Sequence, residues 1–163
     1  MKDKRYYIAY GSNLSVEQMA HRCPDAKIIG TAVVDDYALL FKGCATIEPR
    51  KGRQVPVLVW EISPSDEKRL DRYEGYPSLY YKKDMELTVR MAGTDASREL
   101  TAMVYIMDER CRFGTPTVYY YQVLEEGYKA FHFPEHILAE ALEDSIGKRE
   151  AGIFLNYAGR MAE

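Results

Sequence analysis

Tyr6-Tyr7-Ile8-Ala9-Tyr10-Gly11-Ser12-Asn13-Leu14 is a short apolar strand that breaks into a Gly-Ser-Asn turn and then feeds a helix start. Ser15 and Gln18 have capping-box spacing, and Val16 begins the helical run. A strand, a tight small-residue loop and a helix start together turn several backbone N–H groups toward one point. That geometry favours an anion such as a carboxylate.

Working outward, the first helix covers residues 16–22 and stops at Cys23-Pro24-Asp25. Residues 27–34 and 37–41 read as two strands separated by Asp35-Asp36, and 43–47 as another short one. Residues 49–54 form a basic loop. Residues 55–62 are strongly strand-like, with Val55, Val57 and Val59 on one face and Trp60 on the other. Ser63-Pro64 opens a second helix that ends at Tyr73 or Glu74, with Gly75 as its stop. Strands at 82–89 and 100–107 flank a hairpin loop. Thr115-Pro116 opens a third helix reaching Ala130, and Pro134 a fourth with Ile137, Leu138, Ala141 and Leu142 on one side. Strands dominate the middle and helices the ends, which places the chain in the α+β class with a mostly antiparallel or mixed sheet.

The 163 residues suit one domain with a single core. A net charge of −3 gives no reason to expect nucleic acid or an anionic membrane as partner. No apolar stretch approaches the ~20 residues that span a bilayer. The basic start Met1-Lys2-Asp3-Lys4-Arg5 precedes an apolar run too short for a secretory signal. Cys23, Cys44 and Cys111 are odd in number and widely spaced, as expected of reduced thiols in a cytoplasmic protein. Tyrosine, with 14 copies, supplies rings with polar tips that suit a pocket orienting a polar ligand.

A second segment, Leu70-Asp71-Arg72-Tyr73-Glu74-Gly75-Tyr76-Pro77-Ser78-Leu79-Tyr80, complements the opening loop. Glu74 falls at a helix C-terminus, whose negative pole raises the pKa of a carboxyl. Such a group can accept and return a proton near neutral pH. The pairing of Ala9-Tyr10-Gly11-Ser12-Asn13-Leu14 with Tyr73-Glu74-Gly75-Tyr76-Pro77 resembles the γ-glutamylcyclotransferase superfamily, including AIG2-like proteins. The resemblance extends to Ala45-Thr46-Ile47 and to a tyrosine-bearing helix near Tyr120, and the last stretch of chain adds little to it. It implies a small mixed β-barrel, closed, with flanking helices. It also implies a loop of Tyr10, Gly11, Ser12, Asn13 and Leu14 that grips a γ-glutamyl group, and Glu74 as general acid/base. Tyr80 and Tyr120 become pocket tyrosines, with Tyr119 and Tyr121 competing for the second place and helix packing an alternative for all three.

The implied reaction is closure of a five-membered lactam, 5-oxoproline, as the substrate's own α-amine attacks its γ-carbonyl and expels an amino acid or amine. The expectation is therefore no cofactor and no metal, a small-molecule γ-glutamyl substrate as the one partner, and homodimer formation left open. A γ-glutamylamine cyclotransferase is the alternative, and a carboxylate-binding module without turnover is the rival from another class. Glu74 speaks against the latter, since anion binding has no use for a second carboxylate. Asn13-Leu14 departs from the pattern of the branch specific for glutathione. The Gly-Ser-Asn turn also resembles the start of GDSL-type esterases, but no Asp is followed three residues later by His. His132 and His136 have helical metal-pair spacing, but Pro134 breaks a helix between them. His21 stands alone. Arg50-Lys51-Gly52-Arg53 reads as a solvated loop or a pocket rim.

Overall fold

The opening strand, β1 (Arg5–Ala9), lies antiparallel to β3 (Cys44–Ile62) with Tyr7 opposite Trp60, and meets β5 (Ser97–Met107) in parallel at Tyr7 and Met103. With β2 (Lys27–Lys42) and β4 (Tyr80–Met91) these strands form a closed barrel in the order β1-β3-β2-β4-β5. The expected mixed barrel is thus present in this computed structural model, which describes residues 3–162; Met1 and Lys2 of the basic start lie outside them.

β2 and β3 pair along nearly their whole lengths, so the strands expected as separate pieces are continuous. Two local interruptions break the register, a one-residue shift between Ile28 and Gly30 and a larger one between Asp35 and Tyr37. Asp36, at φ 59°, stands opposite the four residues 50–53, and its carboxylate accepts the Gly52 N–H at 2.9 Å. The basic loop is therefore a bulge in one long strand. It is exposed, as expected, but its arginines are paired: Arg53 with Asp144 at 2.7 Å and Glu140 at 3.2 Å, and Arg50 with Asp144 at 3.3 Å. Residues 55–60 are buried on both faces, which is why alternation understates that segment.

The barrel closes between β2 and β4 through two residue pairs alone, Gly30 with Met91 and Thr31 with Arg90. A Cβ at residue 30 would lie 2.0 Å from the Arg90 carbonyl oxygen, so glycine is what permits the approach. Beyond this seam the strands splay around a cleft of about 920 Å³ that reaches Phe131 and Phe133.

Five helices flank the barrel. α1 (Val16–Arg22) and α2 (Pro64–Glu74) have the expected bounds, Ser15 and Ser63 capping them and Gly75 ending α2 in the left-handed region. α3 (Val118–Ala130) starts later than expected, because Thr117 rather than Thr115 is the cap and accepts the Tyr120 N–H at 3.1 Å. α4 (His136–Ile146) starts two residues after Pro134 and packs Leu138, Ala141 and Leu142 inward as expected. α5 (Lys148–Ala162) lies in the C-terminal stretch whose sequence pattern is weakest. No helix among the described residues is long and apolar enough to cross a membrane.

Candidate active site

β1 and its loop, the start of β3, the end of α2 and the first residue of β4 converge on a cavity of about 200 Å³ at one end of the barrel. Gly11, Ser12, Asn13, Glu74, Tyr80 and Tyr120 all line it, although they come from four separate parts of the chain.

The loop is a single 3-10 turn, residues Ser12–Leu14. The Leu14 N–H is donated to the Gly11 carbonyl at 3.0 Å and the Ser15 N–H to that of Ser12 at 3.0 Å. The N–H groups of Gly11, Ser12 and Asn13 have no partner within the described residues, so these three are the free donors. Leu14 departs from the expectation: its amide is spent and its side chain is buried away from the cavity, under α3. There a Cβ at Gly127 would lie 2.6 Å from the Leu14 Cβ, so helix and loop touch backbone to side chain.

Side chains lock the turn in place. The Asn13 amide donates to the Tyr7 hydroxyl at 2.8 Å, and its oxygen accepts from Arg22. The Trp60 indole N–H donates to the Asn13 carbonyl at 3.1 Å. The Ser12 hydroxyl and the Tyr73 hydroxyl are 2.9 Å apart, which ties the loop to the helix end that carries Glu74. The Arg22 guanidinium lies 3.5 Å over the Tyr73 ring, a cation–π contact that braces the same junction. Asn13 thus acts by its backbone, its side chain being fully engaged in holding the loop.

Glu74 is partly buried in the cavity wall, and its carboxylate has no hydrogen-bond or ion-pair partner among the described residues. Its pKa is raised from the ordinary carboxylate value to about 7. Burial is the principal cause, opposed by the positive charge of Arg22. The direction agrees with the sequence expectation, but removal from water, rather than the helix pole, accounts for most of it. A carboxyl half-protonated near neutral pH can both take and give a proton.

The tyrosines around it divide by what their hydroxyls do. Tyr10 donates to the Tyr105 carbonyl at 2.7 Å and Tyr80 to the Ala45 carbonyl at 2.9 Å, so both rings wall the cavity while their protons are spent on backbone. Tyr120 accepts the Ala45 N–H at 3.0 Å and so keeps its own proton for the cavity. A Cβ at Gly11 would lie 3.1 Å from that hydroxyl, so the loop glycine leaves it room. Of the three-tyrosine run, Tyr119 is 71% exposed and Tyr121 packs on Phe41 and Phe154, leaving Tyr120 as the one in the cavity.

Sequence reasoning missed Tyr7, Tyr73, Arg22, Cys44 and Tyr105. Tyr7 shares strand parity with Ala9 and Gly11, and Arg22 stands four residues after Gln18 on the helix face beside the loop; both were readable signals. Nothing in the sequence marks Cys44, which lines the cavity and whose thiol is shifted upward by burial and by Glu74. His132, at φ 57°, and His136, the first residue of α4, fall on either side of a turn, away from this cavity.

Comparison with known proteins follows the same residues. The family described as gamma-glutamyl cyclotransferase, AIG2-like, matches residues 7–129. A gamma-glutamylcyclotransferase of Homo sapiens is 30% identical over 158 residues, covering 87% of this chain and 81% of that protein. One of Bos taurus is 34% identical over 113 residues, 62% of this chain and 58% of that protein. A solved structure described as a gamma-glutamyl cyclotransferase shares the fold with a TM-score of 0.73 over 85% of this chain and 86% of its own, at 24% identity.

Proposed function

The chain belongs to the AIG2-like gamma-glutamyl cyclotransferase family of enzymes, and from that premise we propose that it converts γ-glutamyl compounds into 5-oxoproline and a free amino acid or amine, with Glu74 as the acid/base. The observation that carries this reading is an unpaired carboxyl with a pKa of about 7 in the same small cavity as three unspent loop amides.

The substrate's α-carboxylate or its γ-carbonyl oxygen meets the N–H groups of Gly11, Ser12 and Asn13, fixed donors that need no reorganisation as charge develops. The cavity walls fold the glutamyl chain until its α-nitrogen faces its own γ-carbon, and such intramolecular positioning supplies much of the rate. Glu74 takes a proton from the α-ammonium, the freed amine attacks the γ-carbon, and a tetrahedral oxyanion forms. The bond to the leaving nitrogen then breaks. Between ammonium and lactam the attacking nitrogen loses two protons, and the leaving amine gains two in becoming an ammonium; Glu74 relays them. Tyr120, with its proton uncommitted, is the neutral donor closest in role to the loop amides.

The same reading places the enzyme in the cytoplasm, in keeping with three unpaired thiols. The test is a panel of γ-glutamyl amino acids and γ-glutamyl amines assayed for 5-oxoproline in water enriched in heavy oxygen. Unlabelled 5-oxoproline supports the proposal, and labelled glutamate as the primary product overturns it.

A further inference from the structure

Among the described residues Glu74 has no polar partner, so its backbone must aim it. That backbone is gripped on both sides by an aromatic ring under a cation. Tyr73 lies under the Arg22 guanidinium at 3.5 Å, and Tyr76 under the Lys82 ammonium at 4.3 Å. Arg22 comes from α1 and Lys82 from β4, so the two grips reach the end of α2 from different elements. The turn between them is tight. Gly75 is left-handed at φ 67°, and the Tyr76 N–H donates to the Asp71 carbonyl at 2.9 Å.

Lys82 does more than cover a ring. Its ammonium meets Asp71 at 2.9 Å and Glu67 at 2.6 Å, one and two turns before Glu74 on the same helix. Asp71 in turn accepts the hydroxyl proton of Tyr105, a cavity tyrosine directly across the β4–β5 ladder from Lys82. One side chain therefore joins α2, the turn after it and β5, two residues along β4 from Tyr80. Only 19% of the Lys82 side chain is exposed. After desolvation such a pair adds little net stability. What it does add is direction, because the ammonium has to meet Glu67, Asp71 and the Tyr76 face at once.

We infer that Lys82 is a positioning residue for the cyclisation: it fixes the end of α2 and the turn behind it, and so keeps the Glu74 carboxyl withdrawn from water and aimed into the cavity. The inference rests on Glu74 as the acid/base. Lys82 does not itself line the cavity. Burial and Arg22 set the Glu74 pKa. The other titratable groups that face Glu74, namely Tyr7, Tyr10, Cys44, Tyr80 and Tyr120, are kept neutral by burial. A change in that pKa on removing Lys82 therefore reports geometry rather than the lost charge.

The test compares Lys82→Met and Lys82→Arg with wild type in two readouts. One is 5-oxoproline release; the other is NMR titration of isotope-labelled glutamate carboxyls, with Glu74→Gln identifying the Glu74 signal. Lys82→Met should lower kcat by roughly 10- to 100-fold with KM changed far less. It should also bring the Glu74 pKa down from about 7 towards the ordinary 4.5, as water reaches the carboxyl. Lys82→Arg keeps the charge and should recover most of both. Arg5→Met removes only the outer pair of the same cluster, Arg5 with Glu67 at 2.8 Å, and should leave both unchanged. Tyr76→Leu, at a ring that is 40% exposed, removes the cation–π grip alone and should move both readouts the same way by less. It decides the question if Lys82→Met does not fold. A wild-type kcat and Glu74 pKa in the folded variant overturn the inference. So does a lowered kcat with the Glu74 pKa unmoved, the mark of a merely structural loss, or an equal loss in Arg5→Met. Full activity in Glu74→Gln sinks the acid/base reading itself, a failure that the titration separates because it reads the carboxyl without turnover.

Discussion

Around the cavity, every tyrosine hydroxyl that leaves solvent is held by a partner, whereas on α5 Tyr157 and Ile153 are half exposed, in a shallow groove beside Ile146 and Phe154. The two regions use the same amphipathic side chains to different ends. At the cavity the hydroxyls of Tyr73, Tyr80 and Tyr120 stitch loop, strand and helix together, so the site is shaped before a substrate arrives. On α5 the outward side chains take part in no such stitching. The contrast separates a region the fold has fully partnered from one it leaves at the surface.

The largest effect should come from the carboxyl at the cavity, which has no partner among the described residues. Glu74→Gln keeps the shape and removes the proton acceptor, so kcat should fall by about 10²–10⁴-fold, measured as 5-oxoproline release, with substrate analogue binding retained. Wild-type kcat/KM should decline on the acid side of about pH 7 as the carboxylate is protonated. Stability should move the other way. Because the folded-state pKa is above the ordinary value of 4.5, the folded protein binds this proton more tightly than the unfolded chain. Its contribution is present below about pH 4.5 and is lost as pH rises through about 7. Glu74→Gln should therefore be more stable than wild type at pH 8, by something on the order of 1–3 kcal/mol, and no more stable at pH 4. Equal melting at both values would mean the carboxyl is not held in a disfavoured charged state.

Tyr120→Phe breaks the stitching itself. The Ala45 N–H loses its acceptor, at a cost of about 1–3 kcal/mol for an unsatisfied donor, and the cavity loses a proton donor. Both the denaturation midpoint and kcat should fall. Gly127→Ala acts at a distance from the chemistry: its Cβ would press on Leu14, so about 1–3 kcal/mol of overpacking is expected, with KM raised through the displaced loop. A KM equal to that of wild type would show that the loop holds its form without α3.

Arg22→Met is subtler. Arg22 lowers the Glu74 pKa, so its removal should move the acid limb of the rate profile to higher pH. Smallest of all is the effect of Ile153→Glu, on the exposed face of α5, on turnover, expected to be nil in the 5-oxoproline assay. A loss of turnover there would collapse the distinction between the two regions.

The legibility of the chain follows the same division. The opening loop, α1, α2 and Glu74 were readable because caps, a glycine stop and a short motif are local signals, made within a few residues. The long β2–β3 hairpin was not. Arg50 and Arg53 read as loop because the acids that hold them, Glu140 and Asp144, lie on α4 far along the chain. Leu14 was assigned to the ligand because sequence places it beside Gly11; only the close pass of Gly127 shows that it faces α3. Arg22 and Tyr73 meet by stacking across two helices, a contact with no signature in either segment. α5 as a whole went unread because Gly152, Asn156 and Gly159 dilute its helical pattern.

The seam between β2 and β4 has a consequence for motion. Two rungs close the barrel there, while the neighbouring ladders run nearly the length of their strands. Local opening costs least where the fewest backbone bonds must break. Amide hydrogens of Thr31 and Arg90 should therefore exchange with deuterated solvent faster than those of Val57 or Val104, deep in the full ladders. Tyr80, at the other end of β4, is about 33 Å of strand away from Arg90. The barrel can thus breathe at one rim like an unbuttoned cuff while the rim that carries the cavity stays fastened.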